Sequence, residues 1–310
     1  MKNARIERFD SRRRAHTGVR LRPMAGAALL IAAIAGLAAG GAGAAAPIAA
    51  RAAGAAGSAA VNGSPGDSAS GSAGSQGSQG SPVVVELFTS QGCSTCPPAD
   101  RLLTQLGSGA AAGPVIPLAF HVDYWNRQGW TDPFSAAEWT ARQARYGRAL
   151  HVDDIYTPQL VVNGRSQCVG SKRDEVMQQI AAAQASAPAG KVSIDAAEVT
   201  GRKVVVKVQA RVERPAHSLE LWVALTQSDL TTAVSAGENK AATLHDDFVV
   251  RRLEKAFSVS GKPGAERAGE VRIAVDPKWD RSQLAVVAFL QDPSTLAIEG
   301  AASRTLAAGR

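Results

Sequence analysis

Cys93 and Cys96 are the residues of this chain best suited to chemistry, because two thiols separated by two residues can form and exchange a disulfide. The run Val83–Thr89 before them is short, β-branched and almost entirely apolar, which predicts a buried strand. Pro97 and Pro98 after them are tolerated only in the first turn of a helix. The sequence therefore places both cysteines between a strand and the start of a helix.

A helix start is a favourable place for a reactive thiol. The unpaired amide hydrogens there stabilise the thiolate, which is the nucleophilic form. We expect Cys93 to be the more exposed thiol that attacks, and Cys96 to resolve the mixed disulfide. An inert structural bridge is the alternative, but closing a four-residue loop restrains very little chain.

Further elements are predicted downstream of the two cysteines. Residues 115–122 form a second strand, and Asp132 and Pro133 cap and begin a second helix. Asn163-Gly164 between two short apolar runs predicts a hairpin, and a last helix covers residues 172–185. The predicted order is β-α-β-α-β-β-α.

This order resembles the thioredoxin arrangement, in which a Cys-x-x-Cys motif lies at the start of the first helix. In finer detail, four segments resemble an exported thioredoxin-like family, domain of unknown function 1223. The segments are VVVELFTSQGCSTCPPADRLL, PLAFHVDYWNRQGWTDPF, IYTPQLVVNG and GENKAATLHDDFVVRRL. The resemblance extends from residue 83 almost to the C-terminus. It implies a fold, and it brings no established activity.

The thioredoxin resemblance also implies roles for three residues outside the dithiol. Glu86 matches a buried acid that moves protons to the resolving thiol, and Thr157-Pro158 matches a cis-proline segment that faces the dithiol and docks substrate. The alternatives are a half-exposed carboxylate and an ordinary trans proline. We therefore predict Cys93, Cys96 and Glu86 as catalytic residues, and Thr157 and Pro158 as substrate-binding residues.

The sequence departs from thioredoxin within the motif. Gly92 replaces an aromatic residue, and Ser94-Thr95 replaces the usual Gly-Pro. Because these residues tune the reduction potential, the roles of oxidant, reductant and isomerase remain open. Cys168 is an unpaired third cysteine that we expect to pack as a small apolar side chain.

A metal site is an alternative that the sequence does not favour. His121 and Asp123 share one face at a strand end, where His121 could join the two cysteines in binding copper or zinc. A single hydrogen-bonded histidine is far more common, and a second histidine with metal-ligand spacing does not follow. The run His245-Asp246-Asp247 resembles a metal trio but is more typical of a solvated turn. We predict no metal and no cofactor.

The second half of the chain has a different pattern, with short alternating runs separated by polar turns. The runs are Val192 to Val199, Lys203 to Val212, Leu219 to Thr226, Phe248 to Leu253, Val271 to Val275 and Leu284 to Gln291. Such spacing is typical of a sandwich. The predicted fold class is an α/β thioredoxin-like domain over residues 83–188, followed by an all-β sandwich-like domain over residues 191–310. We expect the second domain to recognise a substrate or a partner.

The N-terminal residues have the form of an export signal. Residues 1–22 contribute +6 of the formal net charge of +7, and an uncharged Ala/Gly-rich run follows them. We predict a leader over residues 1–46 and a disordered Ala/Gly/Ser linker over residues 47–82. An uncleaved anchor and a twin-arginine route are alternatives for the leader. The rest of the chain is nearly neutral, so no nucleic-acid partner is expected.

These observations together favour a cell-envelope thiol–disulfide oxidoreductase, periplasmic or extracellular, although enzyme activity is not established by a motif alone. Its partners would be protein or small-molecule thiols and disulfides, and no stable membrane span is expected after leader cleavage. The alternative is a non-catalytic binding protein that delivers copper or zinc or docks a partner. A third interpretation treats the dithiol as vestigial.

Overall fold

The computed structural model describes residues 82–110 and 113–306. The predicted leader, residues 1–46, lies outside these ranges, as does the predicted linker, residues 47–82, apart from Pro82. In the described ranges no helix combines the length and the apolar character that a membrane crossing requires.

The first part of the described chain contains four strands and three helices. They are β1 (Val83–Thr89), α1 (Pro97–Gln105), β2 (Val115–His121), α2 (Ala137–Ala149), β3 (Gln159–Val162), β4 (Ser166–Val169) and α3 (Arg173–Gln184). This order agrees with the predicted β-α-β-α-β-β-α. The hairpin between β3 and β4 is also confirmed, and Asn163 and Gly164 in its turn both have a positive φ.

The second part contains nine strands. They are β5 (Gly190–Thr200), β6 (Lys203–Val212), β7 (Leu219–Gln227), β8 (Leu230–Ala233), β9 (Thr243–Asp246), β10 (Val249–Val259), β11 (Glu266–Ala274), β12 (Leu284–Gln291) and β13 (Ile298–Thr305). The six predicted strands are present, with β6 and β12 at the predicted limits. Strands β8, β9 and β13 were not predicted.

Strands from both parts form one mixed sheet of eight strands, in the order β13-β12-β7-β10-β2-β1-β3-β4. The junction is between β10 and β2, where Val249 pairs with Ala119 in parallel and the Ala119 amide donates to the Phe248 carbonyl over 2.9 Å. The predicted fold class, an α/β thioredoxin-like domain followed by an all-β sandwich-like domain, is therefore wrong. Within the described ranges the fold is mostly β, with this large sheet, two small sheets and only three α-helices.

The physical reason for the error is that periodicity identifies strands but not their neighbours. β2 is apolar on both faces, as a central strand must be, and this pattern does not depend on which strand lies beside it. The small sheets have the orders β11-β6-β5 and β8-β9.

Three apolar clusters hold the layers together. Leu87 on β1 packs with α1 and α3, whereas its neighbour Phe88 points to the opposite face and packs with α2. Strands β6 and β11 pack against β7 and β12 in the third cluster. The large sheet therefore separates α1 from α2.

The start of α2 also differs from the prediction. The helix begins at Ala137 with Ala136 in the capping position, not at Asp132. The Asp132 carboxylate accepts from the Phe134 amide over 2.9 Å and also from two groups outside its own loop. A residue type that suits a helix cap is thus used to join distant parts of the chain.

Candidate functional site

The dithiol lies between β1 and α1, as predicted. Cys93 and Cys96 form a disulfide with their Cα atoms 5.5 Å apart, and Cys96 occupies the capping position of α1. Both cysteines have 0% of their surface exposed, so the expectation that Cys93 is an exposed thiol is wrong. Ser94 and Thr95 between them are exposed.

A segment from the second part of the chain is hydrogen-bonded to the dithiol loop. We call residues 234–242, which connect β8 to β9, the strap. Glu238 Oε2 accepts from the Ser94 amide over 3.0 Å and from Ser94 Oγ over 2.7 Å. Asn239 Nδ2 donates to the carbonyl groups of Gln91 and Cys93 over 2.9 and 3.0 Å. The strap thus binds the dithiol loop on both sides of Cys93.

A histidine and three carboxyl groups form a buried cluster beside this loop. His121 Nδ1 donates to Asp132 Oδ2 over 2.7 Å, and His121 Nε2 lies 3.9 Å from Asp246 Oδ1. Asp100, one helical turn after Cys96, accepts from Thr89 Oγ1 over 2.7 Å. The cluster is built from α1, the end of β2, the loop before α2, and β9.

Gln91 connects the cluster to the dithiol loop. Its amide donates to Asp132 Oδ2 over 2.8 Å and its side chain donates to Asp246 Oδ2 over 2.6 Å. Trp130 Nε1 donates in turn to the Gln91 side-chain oxygen over 3.2 Å. Since Gln91 lies two residues before Cys93, a change of charge in the cluster acts close to the disulfide.

The cluster perturbs the pKa values of its members in opposite directions. Burial and the neighbouring Asp246 carboxylate raise the pKa of Asp100 to about 7. Burial alone would lower the pKa of His121, but Asp132, Asp246 and Asp100 raise it to about 9. Burial would raise the pKa of Asp132, yet His121 lowers it overall. At neutral pH a protonated His121 therefore pairs with an ionised Asp132, while Asp100 is poised to gain or lose a proton.

His121 Nε2 is buried and has no hydrogen-bond partner within the part of the chain that the structure describes. In those same ranges, no three His, Cys, Asp or Glu side chains come together in a group that could hold a metal ion. Cys93 and Cys96 are joined in a disulfide in this structure, so their sulfur atoms are not the thiolates that copper or zinc would require beside His121.

Glu86 is not brought to the dithiol. It points to the face of β1 that packs with α2, where its carboxylate accepts from Arg142 Nε and Nη2 over 2.7 and 2.9 Å. Tyr146 OH donates to the same carboxylate over 2.7 Å. The helix α1 lies on the opposite face of the sheet. Its residue Asp100, and not Glu86, is the acid nearest in sequence to Cys96.

Thr157-Pro158 has a cis peptide bond, as the resemblance implied. Trp125 Nε1 donates to Thr157 Oγ1 over 2.8 Å, and a Cβ on Gly92 would lie 3.1 Å from the Cβ of Trp125. Trp125 therefore links the partly exposed Thr157 to the dithiol loop. A side chain in place of Gly92 would therefore require a small shift of Trp125.

Two other candidates lie outside the cluster. Asp123 accepts from Thr140 Oγ1 over 2.6 Å, so it does not share the surroundings of His121. Cys168 is a free, buried cysteine on β4, where burial raises the pKa of its thiol to about 11. It packs in the apolar cluster of α1 and α3, as predicted.

The sequence did not identify five of the residues that surround the dithiol: Gln91, Asp100, Asp246, Glu238 and Asn239. Asp100 carried one usable signal, because a residue four positions after Cys96 lies on the same side of a helix. Asp246 was assigned to a solvated turn, but it is buried. Glu238 and Asn239 lie in one of the segments that resemble the family.

Comparisons with known proteins support the fold more than the chemistry. The profile of the family described as Protein of unknown function (DUF1223) matches residues 84–291. No curated protein matches the chain. The crystal structure of protein AGR_C_4864 from Agrobacterium tumefaciens is similar with a TM-score of 0.56 and 27% identity, over 74% of this chain and 96% of that chain. HBP35 of Porphyromonas gingivalis has a TM-score of 0.52 and 12% identity, over 74% and 77%, which shows similarity of fold alone.

Proposed function

The chain belongs to the family described as Protein of unknown function (DUF1223), and because that description gives no activity we propose one from the site: thiol–disulfide exchange by Cys93 and Cys96. The observation that carries the proposal is the position of a titratable carboxyl group, Asp100, one turn after Cys96 at the start of α1. A bridge that only restrained four residues would gain nothing from such a group.

The exchange begins with the disulfide form. A substrate thiolate attacks Cys93 Sγ, a mixed disulfide forms, and the electron pair of the broken Cys93–Cys96 bond goes to Cys96 Sγ. A second substrate thiolate then attacks the substrate sulfur of the mixed disulfide and releases Cys93. The substrate dithiol is oxidised to a disulfide, the protein disulfide is reduced to a dithiol, and two protons pass from the substrate thiols to the cysteines. The reverse sequence reduces a substrate disulfide.

Residues near the two sulfur atoms suit these steps. Asp100 lies one turn after Cys96 in α1, and its carboxyl group is protonated below a pH of about 7, so we assign it as the proton donor to the departing Cys96 Sγ. The start of α1 also stabilises a thiolate at Cys96. Thr95 Oγ1, at 3.4 Å from Cys93 Sγ, can donate to Cys93 when that thiolate is released.

We place this reaction in the cell envelope, with protein or small-molecule thiols as substrates. The basic and then uncharged leader supports export, and an oxidising compartment preserves a disulfide. Thr157 and Pro158 belong to the proposed substrate surface, because Trp125 ties Thr157 to the dithiol loop.

The test is turnover of a disulfide substrate by single-cysteine variants in a Cys168→Ser background. We expect Cys93→Ser and Cys96→Ser each to lower the rate of insulin reduction by at least about 100-fold, since each removes one partner of the exchange. Cys168→Ser alone is the matched control and should keep the parental rate. A mixed disulfide on Cys93, detected by mass spectrometry in the Cys96→Ala variant, would identify the attacked sulfur. Undiminished turnover in Cys93→Ser would overturn the proposal.

A further inference from the structure

The strap is hydrogen-bonded to polar groups of the dithiol loop, and a substrate that approaches the dithiol meets the same groups. We propose that it is an intramolecular stand-in for substrate: a peptide segment that offers a hydrogen-bond acceptor and an amide donor displaces Glu238 and Asn239 and occupies their places. This inference rests on the proposed exchange reaction, and it assigns the class of substrate that the site accepts.

The first reason is access. Neither cysteine has exposed surface, and thiol–disulfide exchange requires an incoming sulfur to touch the attacked sulfur. The exposed residues of the loop, Ser94 and Thr95, are the ones that an incoming chain reaches first. Ser94 is already bound by Glu238 through two hydrogen bonds. On this proposal, exchange at Cys93 requires the strap to move.

The second reason is the chemistry of the groups that the strap covers. Ser94 provides two donors, its amide and its hydroxyl, while Gln91 and Cys93 provide two carbonyl acceptors. Once the strap leaves, these groups are free to bind water or the matching groups of a substrate. A carboxylate or carbonyl group next to an amide N–H reproduces the pairing made by Glu238 and Asn239, and peptides contain both.

The third reason is that the strap is held by few contacts. It is carried by the two-stranded sheet β8-β9, which is separate from the two larger sheets. Gly237, with φ of 74°, lets the strap lie against Trp130, because a Cβ at that position would be only 3.0 Å from the Cβ of Trp130. Glu238 itself is exposed. The two hydrogen bonds of Glu238 are exposed and the two of Asn239 are partly buried, and a segment held by a few such bonds opens at a small free-energy cost.

The test measures how fast dithiothreitol, a small uncharged reagent, reduces the Cys93–Cys96 disulfide, with alkylation and mass spectrometry as the readout. We expect Asn239→Ala to accelerate reduction about tenfold, because two hydrogen bonds that hold the strap are lost. Lys240→Ala, on the same strap, is the matched control and should keep the parental rate. Equal rates for Asn239→Ala and the parent would overturn the inference.

A second measurement separates covering from substrate mimicry. Ser94→Ala removes a hydroxyl donor that the strap and a substrate would share. We expect dithiothreitol to reduce the disulfide of this variant faster than that of the parent. With reduced glutathione, a tripeptide thiol with carboxylates and amides, we expect a smaller acceleration. An equal gain with both reagents would show that the strap is only a cover and would overturn the stand-in role. If the reduction rates change as expected but neither the parent nor the strap variants reduce insulin, the proposed function fails and the role of the strap stands.

Discussion

At the scale of single residues, His121 is the one basic group among the carboxyl groups of the buried cluster. It pairs closely with Asp132, which lies in the loop before α2, and it lies 3.9 Å from Asp246, which is far from β2 in the sequence. Its positive charge is what allows Asp132 to be ionised in a buried place. The state of His121 therefore influences both stability and the proton affinity of Asp100.

The pKa of His121 predicts a loss of stability at alkaline pH. Its folded-state pKa of about 9 lies above the ordinary value of 6.5, so its contribution is fully present below 6.5 and is lost as the pH rises through 9. Between pH 8 and pH 10 we expect the free energy of unfolding to fall by about 1 kcal/mol more in the parent than in His121→Gln. Urea titrations at the two pH values measure the difference.

The comparison with the variant removes titrations that both proteins share, such as those of lysine and tyrosine. The reduced protein should show the same difference, because His121 and Asp132 are not part of the disulfide. Parallel pH dependences for parent and variant would contradict a raised pKa at His121.

Residue type alone identified the two cysteines and drew attention to His121, but it misassigned their neighbours. Asp132 has the sequence context of a helix cap, and Asp246 has that of a solvated turn. Both aspartates are buried because of contacts with Gln91 and His121, which are remote in sequence from Asp246. Burial of this kind depends on tertiary packing, so local pattern could not reveal it.

At the scale of elements, a buried ion pair between Glu86 and Arg142 joins β1 to α2. We expect Arg142→Met to lower the free energy of unfolding by about 3 kcal/mol, because it leaves the Glu86 carboxylate buried without its cation. The double variant Glu86→Met/Arg142→Met should recover part of that loss. Urea unfolding measures both.

A further variant, Glu86→Gln, tests the catalytic role that the sequence analysis assigned to Glu86. Glu86→Gln keeps the shape of the side chain and removes its charge. If Glu86 only anchors α2, insulin turnover per folded molecule stays at the parental level in Glu86→Gln. A slower turnover with unchanged stability would support the catalytic assignment.

The sequence predicted the helices and the strongly alternating strands, but it missed the hairpin that carries the strap. β8 and β9 have only four residues each, and most of their side chains are exposed or partly exposed. Such strands lack the apolar alternation of β6 and the nearly continuous apolar run of β12. The hairpin lies against the site through Thr232 and Asp246, which both accept from Gln91, and these contacts are not encoded locally.

At the scale of the whole molecule, the shared sheet makes β10 a structural neighbour of β2. We expect a fragment of residues 82–188 to lack a cooperative thermal transition, because the edge of β2 that β10 covers would be open and Asp246 would be absent. Circular dichroism and size-exclusion chromatography measure this. Co-expression with residues 189–310 is the control and should restore a folded complex. A monomeric fragment with a sharp transition would contradict the dependence on β10.

The global arrangement could not be derived from the pattern of the chain for a related reason. The shift from helix-containing to strand-rich sequence near residue 190 is real, and it suggested two separate folds. The pairing of strands does not depend on that change of pattern, because a central strand can pair with any neighbour that has matching apolar faces. Like the large sheet, the site is built from both parts of the chain, because the cysteines come from the first part and the strap from the second.

The position of the strap in the chain sets an order of events during synthesis. Cys93 and Cys96 leave the ribosome well before Glu238 and Asn239, and the chain grows slowly compared with local folding. The two thiols are therefore not yet enclosed while the growing chain lacks its strap. A disulfide that forms before the strap folds is enclosed afterwards, so the order of oxidation and strap docking depends on when the chain meets an oxidising compartment.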